Sequence, residues 1–445
     1  MNILKQMNIS RYMKNKSISE YGYIYYSQTE PHHLNNKFVH TEVTKKQFEE
    51  LYLYWKSSDE AKKVLTYDGY TLKAKNYVGI IQTTNLSIEI LPKIYNDEKE
   101  NETRNIFIEM LKTLLNINEI QINKADLSTT KNRNIYELFI KMFVESVDKL
   151  IHKGIKSQYL EKEENQNFLK GKILFNQHIK QNYIHKERFY VQFDEYIPNR
   201  VENRLIKSTI ALLLKKTRDY ENKKNLRQQL FIFDEVNFSF NHDSNIKRVN
   251  LHRGMEHYEM PIKFAKLFLT HQSFTSLRGK ENVFALLFPM EKVFENYMEF
   301  VLKNSKDKLG IEKILVNGGK GEYFLGSEDG CQMAGLEPDY LLKRKEGKDI
   351  VTDAKWKILE EREDKKKDCN KVSISSGDVY QIFAYLNFYE CENTALLFVP
   401  KAEIEGEITL YYQLDKERTT NKKIRVIPIK LSKVIENGHR IFDLF

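Results

Sequence analysis

Three residues near the C-terminal end have the types and spacing to do chemistry together. In LEPDYLLKRKEGKDIVTDAKWKIL (336–359), Asp339, Asp353 and Lys355 stand in stretches that otherwise read as β-strand, where acidic residues are disfavoured. The stretches flank Lys345-Glu346-Gly347, a three-residue turn of the kind that ends with glycine in the left-handed conformation. A turn centred on Glu346 pairs residues equidistant from it. Asp339 lies seven positions before Glu346 and Asp353 seven after, so the two face each other with Cβ atoms about 4.5–5.5 Å apart. Lys355 shares their face, because strand side chains alternate with period two. Opposed like charges destabilise a strand pair, and a divalent cation offsets that repulsion. Mg²⁺ takes one or two carboxylates and completes its shell with water or substrate phosphate. Such an ion polarises a phosphate oxygen and generates hydroxide, and a nearby lysine orients the water or stabilises developing charge. The expected chemistry is phosphodiester hydrolysis. An acid-x-Lys triplet alone says little, since Asp97-Glu98-Lys99, Asp364-Lys365-Lys366 and Glu346-Gly347-Lys348 match it in a chain that is 30% charged. The β-rich setting singles out 353–355.

The surrounding pattern supplies elements to hold these residues. Pro289 opens an amphipathic helix with apolar Met290, Val293, Phe294, Tyr297, Met298, Val301 and Leu302 on one face, and Glu295 lies at the edge of that face. Strands are expected at 283–288, 311–317, 394–400, 406–414 and 424–431, and a helix near 377–389 with Gln381 and Tyr385 at i and i+4. A charged loop is expected at 360–371 and a turn at Gly318-Gly319-Lys320-Gly321. Upstream, 22–28 reads as strand and 44–58 as helix, while 77–94 reads as a hairpin turning at Thr83-Thr84-Asn85. The aperiodic charged run 96–105 suggests a boundary. Helices follow at 106–115, 135–151, 199–216 after Pro198, and 256–272. A polar connector is expected at 161–168 and a short strand with a turn at Gly171 within 168–179. The expected fold is α/β in three parts. Residues 1–100 form a mixed α+β region, 101–275 a mainly helical middle, and 276–445 a domain built around the aspartates.

With 445 residues the chain is too long for one ordinary core. Hydrophobic residues are 41% and aromatics 12%, which excludes global disorder. The net charge of +9 suits a polyanionic partner, although the excess of Lys, Asn, Ile and Tyr throughout the chain is also what a base-composition bias gives. Cys331, Cys369 and Cys391 form no CxxC pair, which argues against a disulfide framework or a cysteine zinc site. His32-His33, His252 and His257 lack zinc-site spacing. No apolar run reaches the roughly 20 residues that span a bilayer, and the N-terminus lacks a signal-peptide core, so a cytoplasmic location without membrane is expected.

Pro338-Asp339 followed by Asp353-Ala354-Lys355 resembles the PD-(D/E)xK nuclease superfamily, and Gln381-Ile-Phe-Ala-Tyr385 resembles the Q-x3-Y helix of its RecB-like branch. Further residues extend the likeness: Tyr77-Val78-Gly79, Ile88-Glu89-Ile90-Leu91-Pro92-Lys93, Leu169-Lys170-Gly171-Lys172-Ile173, Asn203-Arg204-Leu205-Ile206-Lys207 and Phe294-Glu295. Taken together, the chain resembles the McrC family, nuclease subunits of McrBC-type restriction systems. That resemblance implies an αβββαβ nuclease core and a Mg²⁺-dependent endonuclease acting on double-stranded DNA in antiviral defence. It implies that Asp339 and Asp353 hold the metal with the Ala354 carbonyl, and that Lys355 assists the water. Glu295 would contact metal or water, and Gln381 and Tyr385 would support the site or touch DNA. It further implies a McrB-like AAA+ GTPase hexamer as partner, which receives an N-terminal region of the McrC-like protein and whose GTP hydrolysis is stimulated. GTP would bind the partner, in keeping with the lack of a G-x4-G-K-[ST] loop here. A non-cleaving GTPase-stimulating adaptor and a stand-alone RecB-like repair nuclease remain the alternatives, and self-association across the nuclease domain stays open.

Overall fold

The 77–94 stretch forms the expected hairpin. Strands Tyr77–Gln82 and Ser87–Leu91 pair antiparallel, with Gly79 opposite Ile90 and Gln82 opposite Ser87. Glu50, from the helix Lys45–Ser57, secures the turn by accepting from the Thr83 hydroxyl and from the Asn85 backbone and side chain. That helix starts where expected because Thr44 and Gln47 form a reciprocal capping box. In this computed structural model the described residues are 15–29, 38–94, 100–114, 135–270, 283–317, 323–326, 332–359, 361–364, 369–372, 374–391, 393–400, 408–413 and 419–441. His32-His33, the 97–99 triplet, the glycine-rich turn at 318–321 and residues 365–368 lie outside them.

The chain divides into two units, residues 1–128 with 275–445, and residues 129–274. In the first, the hairpin is the centre of a four-stranded sheet. Asn15–Ser19 adds parallel to Ser87–Leu91, and Phe284–Pro289 adds antiparallel to Tyr77–Gln82. The apolar run expected at 283–288 thus completes an N-terminal sheet rather than the C-terminal one. Gly79 permits this approach: its φ is +134°, and a Cβ there would lie 2.1 Å from the Leu286 carbonyl oxygen. A second small sheet orders Thr41–Glu42, Tyr23–Tyr25, Leu72–Ala74 and Leu65–Tyr67. Ile18, Leu51, Ile81, Ile88 and Ala285 share one buried core.

The charged run 96–105, where a boundary is expected, is helical from Glu100 onward, where the helix Glu100–Leu114 begins. Its charges are structural. Arg104 bridges Glu89 (2.6 Å) and Glu100 (2.7 Å), and Glu100 and Glu102 sit at the helix end that favours acids.

A six-stranded sheet occupies the C-terminal part, in the order Ile311–Val316, Tyr340–Arg344, Ile350–Leu359, Asn393–Pro400, Thr419–Pro428 and Ile408–Gln413. The first three strands pair antiparallel, whereas Ile350–Leu359 and Asn393–Pro400 pair parallel. A parallel pair needs a long crossover, and the helix Ser376–Phe388 lies within it. Leu396 and Leu397 of the central strand are both buried, as expected of a strand covered on both faces. The helix Met290–Ser305 starts after Pro289 and buries Val293, Phe294, Tyr297, Met298, Val301 and Leu302. The loop expected at 360–371 contains an antiparallel ribbon instead, Glu361–Asp364 with Cys369–Val372. Charge density misleads there, because a two-stranded ladder is held by backbone groups whatever its side chains.

The second unit carries the helices Ile135–Lys153, Val201–Lys216, Tyr220–Ile232 and Glu259–Thr270. Asn203 is fully buried and ties this unit together. Its amide donates to the carbonyls of Lys156 (2.9 Å) and Pro198 (2.6 Å), and its oxygen accepts from the Tyr258 hydroxyl (2.9 Å). The connector expected at 161–168 is a strand as far as Gln166. Gln158–Gln166 pairs along its full length with Phe189–Ile197, which also pairs with Lys172–Ile173. Most of its side chains are exposed or half-exposed, so it carries no apolar alternation to read. No helix among the described residues is long and apolar enough to cross a membrane.

Candidate active site

The strands Tyr340–Arg344 and Ile350–Leu359 pair Tyr340 with Thr352, Leu341 with Val351 and Leu342 with Ile350. Each pair is equidistant from Glu346, so the next step of this register sets Asp339 against Asp353. The expected three-residue turn is longer, since the strands end at Arg344 and resume at Ile350. Its centre is unchanged, and so is the register. Gly347 takes φ +86°, as the turn requires, and Lys343 closes the loop onto Asp349 at 2.5 Å.

The two carboxylates converge. Asp339 Oδ2 accepts the Ala354 N–H at 2.8 Å. Burial raises the Asp339 pKa above the ordinary carboxylate range, and the neighbouring Asp353 charge raises it further. Asp353 is 2% exposed, and its Oδ2 makes an ion pair with Lys355. Burial works against the Lys355 ammonium, yet the Asp353 carboxylate outweighs it and the lysine pKa is raised. Lys355 Nζ donates to Gln381 Oε1 at 2.9 Å, and Gln381 Nε2 donates to the buried Tyr385 hydroxyl at 2.9 Å. Ser375 caps the N-terminus of the helix that presents this pair.

Glu295 stands differently. It lines a cleft of about 120 Å³ with Lys292, Asn296, Glu299, Asn317, Asp339 and Tyr340. Its carboxylate is taken by Lys292 at 2.5 Å, and its backbone carbonyl accepts from Tyr340. Five residues singled out in the sequence, Asp339, Asp353, Lys355, Gln381 and Tyr385, therefore form one connected chain of contacts. Ala354 joins it through its N–H, and Glu295 shares only the cleft. Lys292, Glu299 and Asn317 gave no signal beyond ordinary helix and strand-end charge. Among the described residues no group of three or more His, Cys, Asp and Glu is arranged to hold a metal ion. Two converging carboxylates, Asp353 buried and Asp339 half-buried, do fit an ion that takes two protein oxygens and fills the rest of its shell with water or phosphate.

The family model for the McrBC 5-methylcytosine restriction system component matches residues 72–400. The chain belongs to the McrBC family. Two solved structures are similar, and the first agrees at the level of fold. A chain of the refined half-complex from the tetradecameric assembly of Thermococcus gammatolerans McrB AAA+ hexamers with bound McrC superposes with a TM-score of 0.66. It is 21% identical, over 96% of this chain and 99% of that one. A chain of the Thermococcus gammatolerans McrBC complex, solved by cryo-electron microscopy, is 23% identical over 67% of this McrBC-family chain and 89% of that one, with a TM-score of 0.46. Among curated proteins none matches the chain.

Proposed function

We propose that this McrBC-family chain is the nuclease subunit of a GTP-dependent restriction complex. It would hydrolyse DNA phosphodiester bonds at Asp339, Asp353 and Lys355 with Mg²⁺, alongside an McrB-type AAA+ GTPase. The observation that carries the reading is the meeting of a buried carboxylate, a half-buried one and one ammonium at the mouth of the hairpin. The order of a helix bearing Glu295, three antiparallel strands, a helix bearing Gln381 and a parallel strand supports the PD-(D/E)xK assignment. The partner is supported by the family and by a structural neighbour solved with McrB AAA+ hexamers. The sequence has no phosphate-binding loop of its own.

Asp339 and Asp353 would hold the ion, which when bound supplies charge for a phosphate oxygen and an acidified water. The protein's own residues set the rest. The Ala354 N–H fixes the orientation of the Asp339 carboxylate, leaving its other oxygen for a ligand. Gln381 and Asp353 hold the Lys355 ammonium from two sides, where it can orient the attacking water and stabilise charge on the phosphate. Tyr385 fixes Gln381 in turn. In the reaction the water oxygen bonds to phosphorus, one ester P–O bond breaks, and a proton passes to the departing oxygen. The test is cleavage of methylated and unmethylated plasmid by the chain co-expressed with an McrB-type AAA+ GTPase, with GTP and Mg²⁺. Asp353→Ala should abolish cutting and leave folding and GTPase stimulation intact. Normal cutting by this variant would remove the assignment.

A second reading, a GTPase-stimulating adaptor, draws on a separate observation. In the three-stranded part of the second unit, Tyr159, Phe168, Phe175, Tyr183, Ile184 and Tyr196 are each at least 60% exposed. Exposed apolar side chains in such number suit a protein-docking surface. Between residues 15 and 94 the large exposed apolar side chains described are Leu53 and Tyr70. Cleavage that depends on Lys355 would decide for the nuclease.

A further inference from the structure

The strand that carries Asp353 and Lys355 is gripped from its other face by residues far away in sequence. The pairing of Ile350–Leu359 with Asn393–Pro400 slips just after Lys355: Lys355 faces Phe398, and the next pair is Ile358 with Val399. Trp356 and Lys357 therefore bulge from the ladder. Bulges beside active sites re-aim side chains, and they leave backbone groups without ladder partners. Here the freed Trp356 carbonyl accepts from the Lys93 ammonium. The same ammonium lies 5.2 Å from the Trp356 ring centroid. The Trp356 indole N–H donates to Glu20, 2.9 Å to Oε2, and the Lys93 backbone N–H donates to the same oxygen at 2.9 Å. Phe294 packs against the same ring, with centroids 5.3 Å apart. All three members of the grip are buried: Glu20 0%, Trp356 4% and Lys93 8% exposed.

The opposite face of the bulge is held too. Lys355 reaches Gln381, and Lys357 reaches Asp378 at 2.7 Å, both on the helix Ser376–Phe388. Lys355 is thus the last residue in register before a bulge clamped on both sides. Bonds to a backbone carbonyl and to the ring of the adjacent residue leave the strand little freedom to rotate about its axis. Such a rotation would swing the Lys355 ammonium away from Asp353 and Gln381.

We infer that Lys93 and Glu20 are positioning residues for Lys355, holding the Trp356 bulge so that the ammonium stays aimed at the aspartates. The inference rests on the reading of Asp339, Asp353 and Lys355 as the hydrolytic centre. It makes the N-terminal sheet part of the nuclease: Lys93 directly follows its Ser87–Leu91 strand and Pro92, and Glu20 directly follows Asn15–Ser19. A truncated C-terminal domain would carry the aspartates without the grip.

The test uses the full chain in complex with its GTPase. Lys93→Met removes the ammonium and keeps the apolar stem; Trp356→Phe keeps one aromatic ring and removes the indole N–H with the five-membered ring that carries it. Single-turnover cleavage of methylated plasmid, DNA affinity and folded fraction are measured together, with Asp353→Ala as the control for the centre itself. The expected result is a cleavage rate lowered on the order of 10–100-fold for Lys93→Met, as small misplacements of catalytic groups cost, with less loss for Trp356→Phe. DNA affinity and folded fraction should stay as in the wild type. An unchanged rate, or a loss that only tracks unfolded protein, overturns the inference. If Asp353→Ala itself cuts normally, the hydrolytic reading fails, and a crystal structure of Lys93→Met still decides the positioning role. Lys355 leaving Gln381 and Asp353 supports it, and unchanged contacts overturn it.

Discussion

Two carboxylates reach the strand Ile350–Leu359 only two residues apart, the half-buried Asp339 at Ala354 and the buried Glu20 at Trp356. Burial is the largest influence on both and pushes both pKa values up, Glu20 from the ordinary 4.5 to about 7. Their surroundings then diverge. Glu20 takes two N–H donors and has the Lys93 charge beside it. Asp339 takes one N–H and faces another carboxylate. Glu20 is a completed structural contact. Asp339 is half of a pair whose repulsion the protein offsets only in part, through Lys355. A fold retains a pair of that kind where a ligand completes it.

Removing each group should break the likeness most. Glu20→Ala leaves the buried indole N–H and the Lys93 backbone N–H without their acceptor and should cost about 3 kcal/mol in urea denaturation. Asp339→Asn removes a like-charge contact and should change stability by less than about 1 kcal/mol. Next comes the ion. Mg²⁺ at a hundred times its dissociation constant should stabilise the wild type by about 2.7 kcal/mol. Glu20→Gln should keep that gain, and Asp339→Asn should lose it, as read by thermal melts with and without EDTA.

The pH response sharpens the contrast further. Because the folded-state pKa of Glu20 is raised, the native state holds more protons than the unfolded state between about 4.5 and about 7. Stability from this group is therefore full below the unfolded value and falls as pH rises through that window. Glu20→Gln should flatten that part of the denaturation profile, and an undiminished slope would assign it elsewhere. The smallest effect is expected at Gln381→Ala. Lys355 keeps Asp353, so the stability loss should stay near 1 kcal/mol or below, while the cleavage rate falls more than stability does.

The hairpin was legible because its information is local. Acids in a β-rich stretch stand out, and a turn centred on Glu346 fixes the register even though the loop proved longer than expected. The Gln381–Tyr385 pair was legible for the same reason, as helix spacing sets which side chains meet. Glu20 and Lys93 were not, since 336 residues separate Glu20 from Trp356 and no periodicity links them. Lys93 entered only as part of a quoted motif. The run at 283–288 announced a strand but not its partner at 77–82, which depends on Gly79 leaving room. The strand Gln158–Gln166 left no trace in its sequence, because neither of its faces is consistently buried.

The central claim is that Asp339, Asp353 and Lys355 form the hydrolytic centre. Its most direct test is the single-turnover cleavage of methylated plasmid by the assembled complex, with GTP hydrolysis followed in the same reaction, for wild type and Lys355→Met. In Lys355→Met cutting should be lost while GTP turnover continues at the wild-type rate. Cutting at the wild-type rate by Lys355→Met would contradict the claim.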